Sequence, residues 1–139
     1  MNRILLTLIF SFILFACQKD DKDPVAGVEP IVGSWRLAAV EKIADGKSSW
    51  ENVQNPDGND LNFRYDGVIV DSQGRGICCG PGSLVINGNN FTIKPKTELD
   101  YGHCAAVNCV YCPTWEIEVK DNELTVSTCG QGKRKYVNL

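Results

Sequence analysis

The chain has 139 residues, and its formal net charge of −3 gives it no basic face for nucleic acid. That length allows one domain with a substantial core but hardly two. Gly and Asn are plentiful, Val, Ile, Thr and Trp occur in short runs, and long helical patterns are missing, so the composition favours an all-β fold.

The N-terminal segment has the order of a secretory signal. Arg3 precedes an apolar run of 13 residues, 4–16. A helix of that length spans only ~20 Å at 1.5 Å per residue, which is too short for a bilayer core of ~30 Å. The run closes on LFAC at 14–17, which resembles the lipobox of bacterial lipoproteins. The resemblance implies cleavage before Cys17, a diacylglyceryl group on its sulfur and an acyl group on its amine. The alternative is an ordinary signal peptide followed by a cysteine by chance.

The next residues predict a tether. Residues 18–30 read QKDDKDPVAGVEP, a charged and then Pro/Gly-punctuated stretch with almost nothing to bury. We therefore expect residues 1–16 to be a signal peptide, and 17–30 to be a lipidated cysteine with a flexible tether. The Lys-Asp-Asp in this stretch is similar to the signal that sends some Gram-negative lipoproteins to the cell surface. We expect a protein held in the outer membrane by Cys17, with surface and periplasmic display as the two alternatives.

Strand patterns begin at residue 31. Trp35, Leu37 and Ala39 fall on one side at period two, which predicts a first strand. A weaker strand is predicted over 48–53, and a final strand over 133–138.

Three hairpins are predicted between these strands. Their two-residue turns are Asp66-Gly67, Gly88-Asn89 and Asp121-Asn122. The first turn pairs Tyr65 with Val68 and Phe63 with Val70; the second pairs Ile86 with Phe91 and Leu84 with Ile93; the third pairs Val119 with Leu124, Ile117 with Val126 and Trp115 with Thr128.

Two motifs carry a resemblance to a family. Gly33-x-Trp35 opens the first strand, and an aromatic-x-x-Asp-Gly hairpin occupies 63–67. With the further hairpins behind a lipobox, they resemble the lipocalin-like lipoproteins of Gram-negative bacteria over residues 31–139. The resemblance implies a small antiparallel up-and-down barrel of about eight or nine strands. In it, Trp35 closes one end beneath a cation, for which Lys133, Arg134 and Lys135 compete.

The inward-facing positions of these strands are the candidates for the barrel interior and for contacts with a ligand. They are Trp35, Leu37, Phe63, Leu84, Ile86, Phe91, Ile93, Trp115, Ile117, Val119, Leu124 and Val126.

Six cysteines follow Cys17, and an even number behind an export signal indicates disulfide bonds. In a meander, alternate connections share one end of the sheet, so the connections 73–82, 95–112 and 129–132 should gather there. They contain Cys78, Cys79, Cys104, Cys109, Cys112 and Cys129.

Neighbouring cysteines 78 and 79 should join different partners, because a ring between adjacent residues is strained. Cys112 and Cys129 flank one hairpin as a diagonal pair at ~7–8 Å, slightly beyond comfortable bridging distance, and are one candidate bridge. Cys109-Val110-Tyr111-Cys112 also has the spacing of a zinc or thiol-redox motif with His103 nearby, which is the alternative to structural disulfides.

No catalytic constellation is identified. His103 is the one histidine, and Glu116 and Glu118 share a strand face, both patterns being typical of solvated surface. We expect a lipid-anchored binding module that holds a small apolar ligand in the barrel, with no catalysis, metal or cofactor. The alternative is a surface interaction protein with a filled barrel, whose disulfide-bonded loops contact a partner.

Overall fold

The computed structural model describes residues 22–54 and 58–139. The predicted signal peptide and the lipidation site Cys17 lie outside the described residues. Within them the chain forms nine β-strands and one short 3-10 helix, Gly102–Cys104. The predicted all-β, barrel-like fold is confirmed.

The nine strands form one curled half-barrel sheet in the order β4-β3-β1-β9-β8-β7-β5-β6, with β2 on part of the β1 edge. The strands are β1 (Gly33–Ala44), β2 (Lys47–Asn52), β3 (Leu61–Phe63), β4 (Ile69–Val70), β5 (Ser83–Ile86), β6 (Asn89–Thr92), β7 (Thr114–Lys120), β8 (Glu123–Ser127) and β9 (Arg134–Asn138). The strands predicted near 48–53 and 133–138 are therefore present as β2 and β9.

The core lies on the concave side of the sheet, where the predicted alternation placed it. Eight of the twelve predicted interior residues are buried: Trp35, Leu37, Phe63, Leu84, Ile86, Ile117, Leu124 and Val126. The other four are partly buried and pack against this core: Phe91, Ile93, Trp115 and Val119. Period-two burial on one face is the pattern of an antiparallel sheet with one wet side.

The core begins upstream of the predicted domain boundary at residue 31. Val28 and Ile31 have no exposed surface, and the Val25 amide donates a hydrogen bond to the Tyr65 carbonyl at 2.8 Å. The described part of the predicted tether, 22–30, is therefore partly built into the domain. Two isolated valines in a charged stretch give no periodic signal, so the sequence pattern alone places the start of the domain at residue 31.

The hairpin between β7 and β8 has the predicted register. Val119 lies opposite Leu124 and Ile117 opposite Val126, and the ladder ends at Glu116 and Ser127, one pair short of the predicted Trp115–Thr128 contact. Asp121 has a φ of 54°, which fits a tight turn of the predicted kind.

The register predicted between β5 and β6 was wrong. The turn is Asn87-Gly88, both with positive φ (47° and 82°). Leu84 therefore lies opposite Phe91, and Ile86 opposite Asn89. Asn-Gly satisfies both left-handed positions of a two-residue turn better than the predicted Gly88-Asn89.

The register predicted between β3 and β4 was also wrong. Phe63 pairs with Ile69 and Asn62 with Val70, so the connection is the five-residue loop 64–68. The longer loop forms because Asp66 is buried, with 1% of its surface exposed. Its carboxylate accepts hydrogen bonds from Arg64, Val68 and Lys96.

The predicted order of consecutive neighbours fails where β1 pairs with β3 instead of β2 with β3, where β4 and β5 are not neighbours, and where β5 and β7 pair in parallel instead of β6 with β7. Strand direction nevertheless alternates from β5 to β9, because the β5–β6, β7–β8 and β8–β9 pairs are antiparallel. The connections before β7 and before β9 therefore still share one end, as predicted. The loop at 64–68 does not lie at the same end as the other tight turns, because Val68 lines the same recess as Cys78 and Cys79.

The predicted cation above Trp35 has other partners. The Trp35 indole donates a hydrogen bond to the Ile31 carbonyl at 2.7 Å. The Lys135 ammonium lies 4.6 Å from the centre of the Trp50 ring instead. The side chain of Arg134 bonds Gln131 at 2.8 Å.

Packing closes the gap between the two ends of the strand order, β4 and β6. A Cβ atom on Gly67, whose φ is +79°, would lie 2.6 Å from the Phe91 ring and 3.0 Å from the Val28 side chain. The loop before β4, the strand β6 and the N-terminal segment therefore meet at a position that only glycine fits.

We expect Gly67→Ala to lower the free energy of unfolding by about 3 kcal/mol, since it combines left-handed strain of ~1–2 kcal/mol with overpacking of ~1–3 kcal/mol. Gly88→Ala is the matched control, because Gly88 has a φ of +82° and nothing within 4 Å of its Cβ position. In Gly88→Ala the free energy of unfolding should fall only by the ~1–2 kcal/mol that left-handed strain costs. Urea unfolding with the disulfides intact measures both, and equal losses would contradict the packing argument.

Candidate functional site

Three disulfides join the six cysteines, which confirms the predicted disulfide bonds. Cys78 bonds Cys104 with Cα atoms 5.4 Å apart, Cys79 bonds Cys109 at 5.2 Å, and Cys112 bonds Cys129 at 5.5 Å. The adjacent cysteines 78 and 79 have different partners, as predicted. The candidate pair Cys112–Cys129 is present, at a shorter Cα distance than the predicted diagonal.

The zinc or redox interpretation of the CxxC spacing does not fit this pairing. Cys109 and Cys112 belong to two different bridges. The sulfurs of Cys78 and Cys104 lie within 4.8 Å of a His103 ring nitrogen, but those two sulfurs share a disulfide bond. Sulfur binds zinc as a thiolate, so this cluster offers one histidine and no free thiolate.

A recess of about 280 Å³ lies under the disulfide-bonded loops; we call it the loop recess. Its lining is apolar side chains, two prolines, two tyrosines and disulfide sulfur. The lining residues are Val68, Ile69, Ile77, Cys78, Cys79, Gly80, Pro81, Ile93, Pro95, Tyr101, Cys104, Cys109 and Tyr111.

One wall of the loop recess depends on Gly76. The ring of Tyr101 occupies the space where a Cβ atom on Gly76 would lie. The Gly76 amide donates to the Asp100 carbonyl at 3.2 Å, and the Cys104 amide donates to the Tyr101 carbonyl at 2.8 Å. The Tyr101 ring therefore packs against Gly76. Its carbonyl accepts from the amide of Cys104, which belongs to the Cys78–Cys104 disulfide.

The floor of the recess is fixed by the buried carboxylate of Asp66. One oxygen accepts from Arg64 Nε at 3.0 Å and from the Val68 amide at 3.4 Å. The other accepts from Arg64 Nη2 and, at 2.9 Å, from the Lys96 amide. Since Val68 and Pro95 line the recess, Asp66 joins two segments of its lining.

The charge state of Asp66 follows from these bonds. Burial raises the pKa of Asp66, but the hydrogen bonds from Arg64, Lys96 and Val68 and the Arg64 charge outweigh it, so the pKa lies below 3.8. The carboxylate is ionised at neutral pH and is fully paired. It is therefore a structural acceptor and not a free acid or base.

Of the twelve predicted interior residues, Ile93 lines the loop recess, and the others lie in or against the core. Val68, Ile69 and Ile77 were not predicted as site residues, whereas Tyr101 and Tyr111 were predicted contact residues of the interaction-protein alternative and are both exposed. The available signal was the position of Tyr101 and Tyr111 inside the cysteine-rich connection, where aromatic residues have no strand face to fill.

The remaining candidates lie on the surface. His103 is exposed, with Nε2 3.5 Å from the Cys104 sulfur. Glu116 and Glu118 are exposed and lie opposite Ser127 and Thr125 in the β7–β8 ladder.

Large apolar side chains are exposed on the same loops; we call this set the loop face. Tyr101 is 49% exposed, Val107 47%, Val110 87% and Tyr111 73%. The segment 101–115, which holds all four, contains no Asp, Glu, Lys or Arg, and the nearest charged residue before it is Asp100. Depletion of charge with enrichment of tyrosine is typical of contact surfaces.

Comparison of the chain with protein-family models, curated proteins and solved structures finds no match. In the part of the chain that the structure describes, no helix has the length and apolar character of a membrane span.

We expect Asp66→Asn to lower the free energy of unfolding at pH 7 by about 3 kcal/mol, as for a broken buried pair. The folded pKa of Asp66 lies below 3.8, so the wild-type carboxylate contributes stability above about pH 4 that is lost as the pH falls through the folded value. The difference between wild type and variant should therefore shrink in acid. Urea unfolding at pH 7, 4 and 3 measures it.

Asp71→Asn is the control for that measurement. Burial raises the pKa of Asp71, and bonds from Arg75 and Gln73 bring it below 3.8, but these bonds stay within one loop. Its substitution should cost less at pH 7. An Asp66→Asn difference that stays constant down to pH 3 would contradict the assignment.

Proposed function

We propose that the protein is a lipoprotein of the cell envelope, anchored through Cys17, that binds a small apolar molecule in the loop recess without catalysis. The observation that carries this proposal is the recess itself, about 280 Å³ of mainly apolar lining beside the buried core. Pockets for small molecules are concave, mostly apolar and largely pre-formed. The proposal thus moves the ligand from the barrel centre to the disulfide-bonded end.

The lining supports a compact, apolar ligand. The volume of about 280 Å³ is that of about nine waters at ~30 Å³ each. Tyrosine rings and sulfur both make favourable contacts with aromatic groups. Three disulfides hold the loops in place before binding, which reduces the entropy that a ligand would otherwise have to offset.

The anchor and the relation to lipocalin-like lipoproteins are proposed from the sequence. LFAC at 14–17 and Gly33-x-Trp35 support them, and the curled β-sheet suits such a domain. The outer membrane is the proposed location.

The absence of catalysis is proposed from the surroundings of the candidate groups. His103 faces a disulfide sulfur, which is no nucleophile. The buried Asp66 is saturated with hydrogen bonds. Neither group is placed to move a proton on a bound molecule.

A second candidate function is that of a surface interaction protein, and the loop face favours it. Val110 and Tyr111 are more exposed than a ligand in the recess requires, and Val110 does not line that recess. A larger partner that covers the loop face would bury both.

The test of the ligand proposal is native mass spectrometry of the protein extracted from its own membrane. Wild type should retain a small molecule, and Gly76→Ala should lose it, because a Cβ there displaces the Tyr101 ring. Gly82→Ala is the matched control, since its Cβ would meet only the Pro113 carbonyl at 3.9 Å.

Indole, titrated against the purified protein and followed by ligand-observed NMR, provides a second readout. It should bind wild type and Gly82→Ala at least tenfold more tightly than Gly76→Ala. If the extracted protein retains no small molecule and the purified protein does not bind indole, the ligand proposal is ruled out. The interaction protein would then be the remaining candidate function.

A further inference from the structure

The loop face is an apolar surface without formal charge, held rigid before any contact. Its four exposed side chains all lie in the segment 101–115, which contains no Asp, Glu, Lys or Arg. Such a surface can be placed against an apolar medium without the free-energy cost of desolvating a charged group. A polar protein surface usually interleaves charges instead.

The N-terminal segment of the described chain is bonded to the loop at 64–68. The Val25 amide donates to the Tyr65 carbonyl at 2.8 Å, and Tyr65 directly precedes Asp66, which accepts a hydrogen bond from the Lys96 amide. The hydrogen bond to Asp66 raises the pKa of Arg64 in this loop, and Tyr101 of the loop face adds to that rise from nearby. The chain therefore enters the domain beside a loop whose Val68 lines the recess.

The link between the proposed anchor and this entry point is shorter than the domain. Eight residue steps separate Cys17 from Val25, and a fully extended chain covers at most ~28 Å in that distance. A domain of 118 residues, 22–139, has a radius of gyration of ~13 Å and a diameter of ~35 Å. The surface opposite the entry point therefore cannot be the one that lies on the bilayer.

We propose that the loop face lies on the lipid bilayer, with Tyr101 and Tyr111 at the level of the headgroups and Val107 and Val110 against them. This inference rests on the proposed attachment at Cys17. Tyrosine suits a membrane interface because its ring is apolar and its hydroxyl is wet. The acyl chains already hold the domain at the membrane, so the loop face has only to set its orientation.

The experiment is hydroxyl-radical footprinting of the lipidated protein on vesicles of phosphatidylethanolamine and phosphatidylglycerol. The reference is the full chain with Cys17→Ser, which carries no lipid, in buffer. Oxidation of Tyr101 and Tyr111 should fall at least threefold on vesicles, while oxidation of Trp50, which is 40% exposed on β2, should stay unchanged. Equal rates on vesicles and in buffer would overturn the proposal.

A pair of variants tests the face directly. Val110→Asp introduces a charge into it and should return Tyr101 oxidation on vesicles to the level in buffer. Ile43→Asp is the matched control, because Ile43 is 69% exposed on β1, and it should leave the protection intact. Protection on vesicles that survives Val110→Asp would overturn the proposal. Protection that appears in whole envelopes but not on lipid vesicles would assign the face to a protein partner and would overturn it as well.

The intact mass of the N-terminal peptide separates the two levels of inference. An acylated Cys17 with an unprotected loop face overturns the docking proposal alone. An unmodified Cys17 removes the anchor, and the docking proposal falls with it, while indole binding in the recess can still be measured independently.

Discussion

A buried carboxylate joins the two ends of an open sheet. The strand order ends at β4 and β6, and Asp66, on the loop before β4, accepts a hydrogen bond from the Lys96 amide beyond β6. Its other bonds come from Arg64 and Val68 in its own loop. Burying a charge is costly unless it is paired and hydrogen-bonded, so Asp66 is stable only when both segments are in place. The curl of the sheet and the floor of the loop recess therefore depend on the same contact.

The disulfides and Asp66 stabilise different parts of the cysteine-rich connection. Asp66 fixes where the cysteine-rich connection starts, whereas the bridges hold its far part, which has few regular hydrogen bonds. A bridge is worth ~2–4 kcal/mol, chiefly by restricting the unfolded chain, and folded domains have only ~5–15 kcal/mol in total. Val110 and Tyr111, both exposed, lie between Cys109 and Cys112, each of which is held by a bridge.

The sequence predicted what depends on local alternation. Trp35, Leu37 and Ile117 were assigned to the interior from period two alone and are buried. The β7–β8 register followed from one turn. The β5–β6 register failed locally, because Asn87-Gly88 fits the two left-handed turn positions better than Gly88-Asn89. Two other failures depend on distant partners: Asp66 does not form a two-residue turn because Lys96, 30 residues away, donates to it, and β7 pairs beside β5 in parallel although no local pattern marks that order. The recess was missed because its walls come from six separate stretches of chain, none of which is periodic.

The two proposals share a pair of side chains, and this makes them interdependent. Tyr101 and Tyr111 line the loop recess and are also the aromatic part of the loop face. A bilayer in contact with that face would lie at the mouth of the recess, where an apolar molecule is far more concentrated than in water. Contact that orders the two rings would also remove part of the entropy cost of binding in the recess. By thermodynamic linkage, a ligand bound in the recess must raise the affinity of the loop face for lipid by the same factor by which lipid contact raises the affinity for the ligand.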